Sequence, residues 1–330
     1  MTLDLNALVD SGTVSSIDQL ATVYTSVSGS DLGHPQRAID IRVIGGIDLR
    51  LLPDRGLDIS GAWYLGTPLA WRSRVGEVSR LVHPREAEWA AAFGGGLLTT
   101  CGLRNVGAAS ESHGLHGTFA HLPARDVRVD HFREGDDIGI AVTGVIEDSD
   151  ALETHLRCER AIRTLCGRGE VLVRDVVTNL GPVTVPAPML YHSNFGAPLW
   201  QPGSRVELPS GKVIPRDDAT RSAGARWQEA PEPERCATER VYEHLLTLAD
   251  GWPTARIVNE SLGVTVDLSW DPEAMPRLHQ WVHPRAGVYA LGIEPANCSV
   301  GGRAFDRAEG RLPLLEPSAR RTSAVRWRVS

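Results

Sequence analysis

Two short stretches hold the residues best suited to moving protons. In residues 186–199 (PAPMLYHSNFGAPL), strand alternation puts Leu190, His192 and Asn194 on one face and Tyr191, Ser193 and Phe195 on the other. In residues 287–302 (GVYALGIEPANCSVGG), Tyr289, Leu291 and Ile293 share the natural core face, while Ala290, Gly292 and Glu294 share the other. Two small residues before a carboxylate leave room for a ligand to lie against the strand. Pro295 ends regular pairing and so places Glu294 at a strand end. An imidazole that titrates near neutrality and a carboxylate partly desolvated by apolar walls form a general acid–base pair. That chemistry suits the opening of a cyclic hemiacetal. One group, on one side of the ring, gives a proton to the ring oxygen. The other, on the opposite side, takes a proton from the anomeric hydroxyl, and reclosure inverts the anomeric centre. A structural histidine and a surface glutamate are the plainer alternatives.

A third stretch, residues 94–124, packs glycines, Arg104, Asn105, His113 and His116 around short apolar runs. These side chains suit a site for a polar small molecule, and a surface loop is the competing reading. Glu111, His113 and His116 could also form a cupin-like metal site, although Gly114 and Leu115 between the histidines fit a turn equally well. Arg50, Arg72, Arg74 and Arg104 could each supply a phosphate contact.

Other chemistries have less support. Lys212 is the only lysine and sits in a turn-like, solvated context, which disfavours Schiff-base catalysis. The five cysteines contain no CxxC pair, which argues against a disulfide framework and a zinc site. Cys298 has no base assigned to it as a nucleophile. There is no GxGxxG after a strand and no phosphate-binding GxxxxGK[ST] loop, so no cofactor is implied. A net charge of -7 leaves no footprint for nucleic acid. No run of about 18 apolar residues spans a membrane. The start, MTLDLNALVDSG, does not read as a signal peptide, so the cytoplasm is the expected location.

The elements that must carry these residues read as strands. Residues 15–25 suggest a short helix capped by Ser15 or Ser16, and residues 80–92 a helical turn or two. From Ile39 the alternation is that of a hairpin turning at Gly45-Gly46, with Arg55 and Asp58 as turn residues joined by a salt link. Strand patterns then run through DVRVDHF, DIGIAVTGVIED, ETHLRCERAIRTLCG and EVLVRDVVTNLG. They resume from VYEHLLTLA to TSAVRWRV. No βαβ alternation appears, so the expectation is an all-β, antiparallel sandwich with few short helices. One domain spans 1–330, with about 1–32 as an N-terminal extension and 201–236 as a loop-rich insertion.

Taken together, LPDRGLDI, FGGGLLTTCGLRNVG, LHG followed by PA, LYHSNFG and GIEPANC resemble the aldose 1-epimerase-like proteins of the galactose mutarotase superfamily. The likeness is closest to the uncharacterised aldose-epimerase-related branch and runs from about Gly33 to Pro317. It implies a β-supersandwich with a sugar site on a concave sheet face. It also implies an aldose mutarotase activity with His192 as acid and Glu294 as base. Arg104 and His116 are the implied substrate contacts and Gln280 a further one, while Asn194 joins them through its shared parity with His192. LYHSNFG stands here in place of the more familiar HxYFN pattern, and Thr118 follows LHG where near relatives often carry a basic residue. The implied partner is a monosaccharide, with no nucleic acid or membrane, and a homodimer is compatible with the sequence. A sugar-binding protein without turnover would keep the same site.

Overall fold

The computed structural model describes residues 4–27, 35–77, 88–224, 226–247 and 250–330. Strands dominate, and the described helices are short: Leu5–Asp10, Glu88–Ala91, Asp218–Ser222 and Arg303–Ala308. None is long and apolar enough to cross a membrane. Part of the helical turn expected over residues 80–92 lies outside the described residues; the rest is the Glu88–Ala91 turn.

Among the described residues, three large antiparallel sheets build the molecule, with a two-stranded ribbon of Val185–Pro186 and Leu314–Leu315 beside them. A five-stranded meander runs in chain order from Ala21–Val27 to Thr67–Pro68, with the expected hairpin between Arg37–Val43 and Ile47–Leu52. An eight-stranded sheet contains the four long strands between Ala124 and Asn179, together with Thr254–Asn259, Val264–Trp270 and Arg320–Val329. A six-stranded sheet has the order Ser210–Pro215, Arg240–Leu246, Arg277–His283, Ala290–Ala296, Met189–Phe195, Thr99–Gly102. Residues 201–236 thus contribute strands to two sheets, at Arg205–Glu207 and Ser210–Pro215, and a helix at Asp218–Ser222.

One apolar core joins these sheets. Tyr191, Phe195, Leu291 and Ile293 of the six-stranded sheet pack in the same cluster as Val173, Leu268, Val325 and Trp327 of the eight-stranded one. Each such side chain contributes roughly 1.5–3 kcal/mol through its burial. Because alternate residues point to opposite faces, burying Tyr191, Leu291 and Ile293 turns His192, Gly292 and Glu294 to the other face. That face carries its own apolar cluster of Trp71, Val241, Trp281 and Ala290.

Two local expectations are corrected. Ser16 does cap a turn, but only the 3-10 turn Ile17–Gln19, and the β-branched run after it is the strand Ala21–Val27. Asp58 pairs with Arg160 rather than Arg55, at 2.6 Å. Arg55 instead donates to the Ala120 and Ala92 carbonyl oxygens. Asp175 is fully buried, and Arg160 on the neighbouring strand meets it at 2.7 Å, with the Tyr191 hydroxyl donating to the same carboxylate.

Candidate active site

The Met189–Phe195 and Ala290–Ala296 strands are neighbours. Leu190 stands opposite Ala296 and Ser193 opposite Ile293, a register that sets His192 across from Glu294. The register is stapled by Asn297, whose Oδ1 accepts from the Met189 N–H at 2.8 Å while its own N–H donates to the Met189 carbonyl at 3.1 Å. His279, opposite Glu294 on the other side, donates from Nε2 to the Cys298 carbonyl at 3.0 Å and ties down the end of the glutamate's strand.

Nε2 of His192 lies 3.2 Å from Oε1 of Glu294. The two meet at ion-pair distance but are not aligned for a hydrogen bond, and Oε1 of Glu294 and Nδ1 of His192 have no hydrogen-bond partner. Gly292 makes the contact possible: a Cβ there would stand 2.7 Å from Oε1 of Glu294 and 3.0 Å from Cε1 of His192. This geometry overturns the expectation that acid and base face each other across a sugar. Adjacent strands hold them side by side.

Burial dominates their electrostatics. It pushes the Glu294 carboxyl up to about 8, with Glu239 adding to the rise and Arg216 opposing it. Burial also holds His192 well below the usual imidazole range, with His116 reinforcing the effect. Near neutral pH the pair therefore shares one proton, and the salt-bridge distance alone does not make it an ion pair.

A cavity of about 610 Å³ opens above this pair. His116 lines it, its ring centroid 6.0 Å from that of His192. Gly107 N–H donates to Nδ1 of His116 at 3.3 Å, so the neutral ring carries its proton on Nε2. His116 sits at φ 57°, a left-handed conformation uncommon outside glycine, in the turn formed by the LHG motif. Desolvation lowers its pKa to about 4. Aromatic rings surround His192, with Phe93 at 5.3 Å and Trp281 at 5.6 Å between centroids. Trp71 and Trp89 complete the apolar wall.

The other sequence-derived contacts lie elsewhere. The Arg104 guanidinium is held by Asp148 at 2.7 Å and Asp150 at 3.0 Å and does not line the cavity. Gln280 is on the opposite sheet face, bonded to the Trp227 carbonyl and to His244. Asn194 has the parity of His192, but its amide donates to the Gly96 and His192 carbonyls beneath the surface. Asn105 staples its own loop through the Ala108 and Gly114 carbonyls. Glu111 is claimed by Arg303 and Arg307, away from His116, and no group of three or more metal-type ligands converges among the described residues. The Cys298 thiol is buried and its pKa raised, which removes it as a nucleophile. The sequence reading missed Trp71, Phe93, Trp281, Arg216 and Glu239, all of which line the cavity.

The sheet arrangement is that of the galactose mutarotase-like sandwiches. A candidate aldose 1-epimerase from Klebsiella pneumoniae subsp. pneumoniae superposes with a TM-score of 0.86 at 20% identity, over 96% of this chain and 88% of that one. A galactose mutarotase-like protein from Clostridium acetobutylicum gives 0.65 at 14% identity, over 93% and 98%. A galactose 1-epimerase from Lactobacillus acidophilus gives 0.63 at 13% identity, over 93% and 98%. At such identities the likeness is one of fold. Residues 33–329 match DUF4432, a domain of unknown function, and the chain belongs to that family. No curated protein matches the sequence.

Proposed function

We propose that this protein is an aldose mutarotase that interconverts the α and β anomers of a free monosaccharide, with Glu294 as base and His192 as acid. The observation that carries this reading is their direct contact at the floor of a cavity, each with an atom that no group among the described residues satisfies. Both oxygens that exchange protons in a hemiacetal are bonded to the same carbon. A base and an acid held side by side can therefore serve both from one face of the ring.

Proton bookkeeping is consistent with this. Glutamic acid beside neutral imidazole and carboxylate beside imidazolium contain the same number of protons and differ by one transfer across 3.2 Å. Burial by itself favours the neutral form. A bound sugar offers its anomeric hydroxyl to the carboxylate and its ring oxygen to the imidazolium, and hydrogen bonds to charged groups are the stronger ones. Glu294 then takes the hydroxyl proton while His192 protonates the ring oxygen, and the ring C–O bond breaks to give the open-chain aldehyde. The pair is left neutral, the form burial favours. Rotation of the carbonyl and the reverse transfers close the ring on either face. The Nε2–H of His116 can donate to a sugar oxygen beside them.

The test is anomer exchange followed by NMR or polarimetry across hexoses, pentoses and deoxypentoses. Glu294→Gln and His192→Ala are each expected to lose roughly 10² to 10⁴-fold. Unchanged exchange in both variants would end the mechanism. Calorimetric sugar binding without accelerated exchange would identify a carbohydrate-binding protein instead.

A further inference from the structure

With Arg104, Gln280 and Asn194 engaged elsewhere, the cavity needs another means of recognising hydroxyl groups. Its walls are largely apolar, from Trp71, Trp89, Phe93, Trp281, Val241 and Val288. Ser73 is already committed, its hydroxyl donating to the Phe93 carbonyl and accepting from the Val75 N–H. Apart from the reactive floor, His116, His283 and Arg74, its remaining polar lining is the pair Arg216 and Glu239. Nη2 of Arg216 lies 2.9 Å from Oε1 of Glu239, and its Nε lies 2.9 Å from Asp217. Oε2 of Glu239 accepts from the Trp281 indole N–H at 3.0 Å, which fixes the ring that flanks His192. The two side chains are 40% and 43% exposed, open to the cavity they line.

We propose that the Arg216–Glu239 pair is the hydroxyl-recognition subsite of this cavity, taking two neighbouring hydroxyls of a neutral aldose whose ring lies against Trp281. The proposal rests on the mutarotase reading of the same site. A hydroxyl both donates and accepts, so a fixed carboxylate and a fixed guanidinium side by side match a vicinal diol, one hydroxyl donating to Glu239 and its neighbour accepting from Arg216. The indole offers its face to the sugar's C–H groups. Glu239 and Arg216 line the same cavity as Glu294, and theirs are the charges that act on its carboxyl. The subsite selects against acidic sugars. Arg216 already has two carboxylate partners, and Glu239 would confront a phosphate or carboxylate with like charge. Arg74, at the rim and bonded to the Gly287 carbonyl, is the cation an acidic sugar would need.

The experiment compares wild-type protein on an aldose, its singly deoxygenated analogues, its 6-phosphate and its uronic acid. Affinity is read by calorimetry and anomer exchange by NMR. For the best neutral aldose, loss of either of two adjacent hydroxyls is expected to weaken binding roughly ten-fold, because it removes a hydrogen bond to a charged group. The loss should fall mainly on KM, since those hydroxyls are remote from the reacting carbon. In Glu239→Gln and Arg216→Gln the discrimination between parent and deoxy analogue should shrink to within about two-fold. Equal use of all deoxy analogues by wild type, unchanged discrimination in both variants, or preference for the acidic sugars would each overturn the proposal. Discrimination in binding with no exchange removes the catalytic reading and supports the subsite. Exchange without discrimination does the reverse.

Discussion

The α-carbon of Gly292 and the carboxylate of Glu294 are packed so closely that a methyl group on the first would stand 2.7 Å from Oε1 of the second. The same methyl would lie 3.0 Å from Cε1 of His192 and 3.1 Å from Cβ of Trp281. The carboxylate is the end of a side chain and can move aside, so Gly292→Ala should fold. The displaced carboxylate would lose its place against the imidazole, and a misplacement near 1 Å costs roughly 10²-fold in rate. The expected result is a fall in anomer exchange of about that size with a thermal midpoint close to wild type, checked by NMR exchange and calorimetric melting. Full exchange activity in Gly292→Ala would mean that the contact is not what the chemistry uses.

The pH dependence follows from the proton count of the pair. Turnover needs one proton on His192 and Glu294 together. Above the raised carboxyl value of about 8 that proton is lost and no acid remains. Below the depressed His192 value a second proton enters and no base remains. The kcat/KM profile should therefore be a broad bell, its alkaline limb near 8 and its acid limb well below the 6.5 of a free histidine. These limbs belong to the pair and not to single residues. An alkaline limb at the ordinary carboxylate range, with activity gone by neutral pH, would contradict the burial argument.

Much of this arrangement was legible in the sequence because strand alternation has a fixed period. With Leu291 and Ile293 in the core, Gly292 and Glu294 must face the other way, and the same alternation sets His192 on the face opposite Tyr191. What alternation within one strand cannot supply is the pairing between strands. That pairing turns Gln280 toward His244 and brings Trp281, one residue on, level with Gly292. A one-residue parity error exchanges the two faces completely. The opposed acid and base failed for the same reason, since only the register reveals that the strands of His192 and Glu294 are adjacent. Arg216 and Glu239 were hidden because charged residues around a proline-rich stretch read as solvated loop, and their role depends on a contact with distant Trp281.

Arg104 gives a prediction that separates motif from geometry. The resemblance makes it a sugar contact, whereas the structure spends its guanidinium on Asp148 and Asp150. Asp148 has a 4% exposed side chain and also accepts from the Thr118 hydroxyl. Arg104→Ala should leave the KM for sugar unchanged within about two-fold and lower stability by about 1–3 kcal/mol, the cost of leaving a buried acceptor short of a partner. Denaturant titration and exchange kinetics read the two quantities separately. A large rise in KM at unchanged stability would restore the motif-based role.

Beneath the reactive floor, Arg160 makes the sharpest stability prediction. Its guanidinium is fully buried and meets Asp175 at 2.7 Å and Asp58 at 2.6 Å, and it donates to the Thr100 hydroxyl at 2.8 Å. Thr100 and Tyr191 are paired across neighbouring strands, and the Tyr191 hydroxyl donates to Asp175, so the cluster ties the back of the His192 strand to the eight-stranded sheet. Arg160→Met keeps much of the volume but strands two buried carboxylates. Breaking a buried pair from one side costs about 3–5 kcal/mol, a large part of a domain's total stability. Replacing the whole cluster with apolar groups of similar volume could be near neutral by the same reasoning. The expected outcome is that Arg160→Met melts far below wild type and recovers when Asp58→Asn and Asp175→Asn are added, because the stranded charges are then gone. If the triple variant is no more stable than the single one, packing and not charge is what Arg160 supplies at that position.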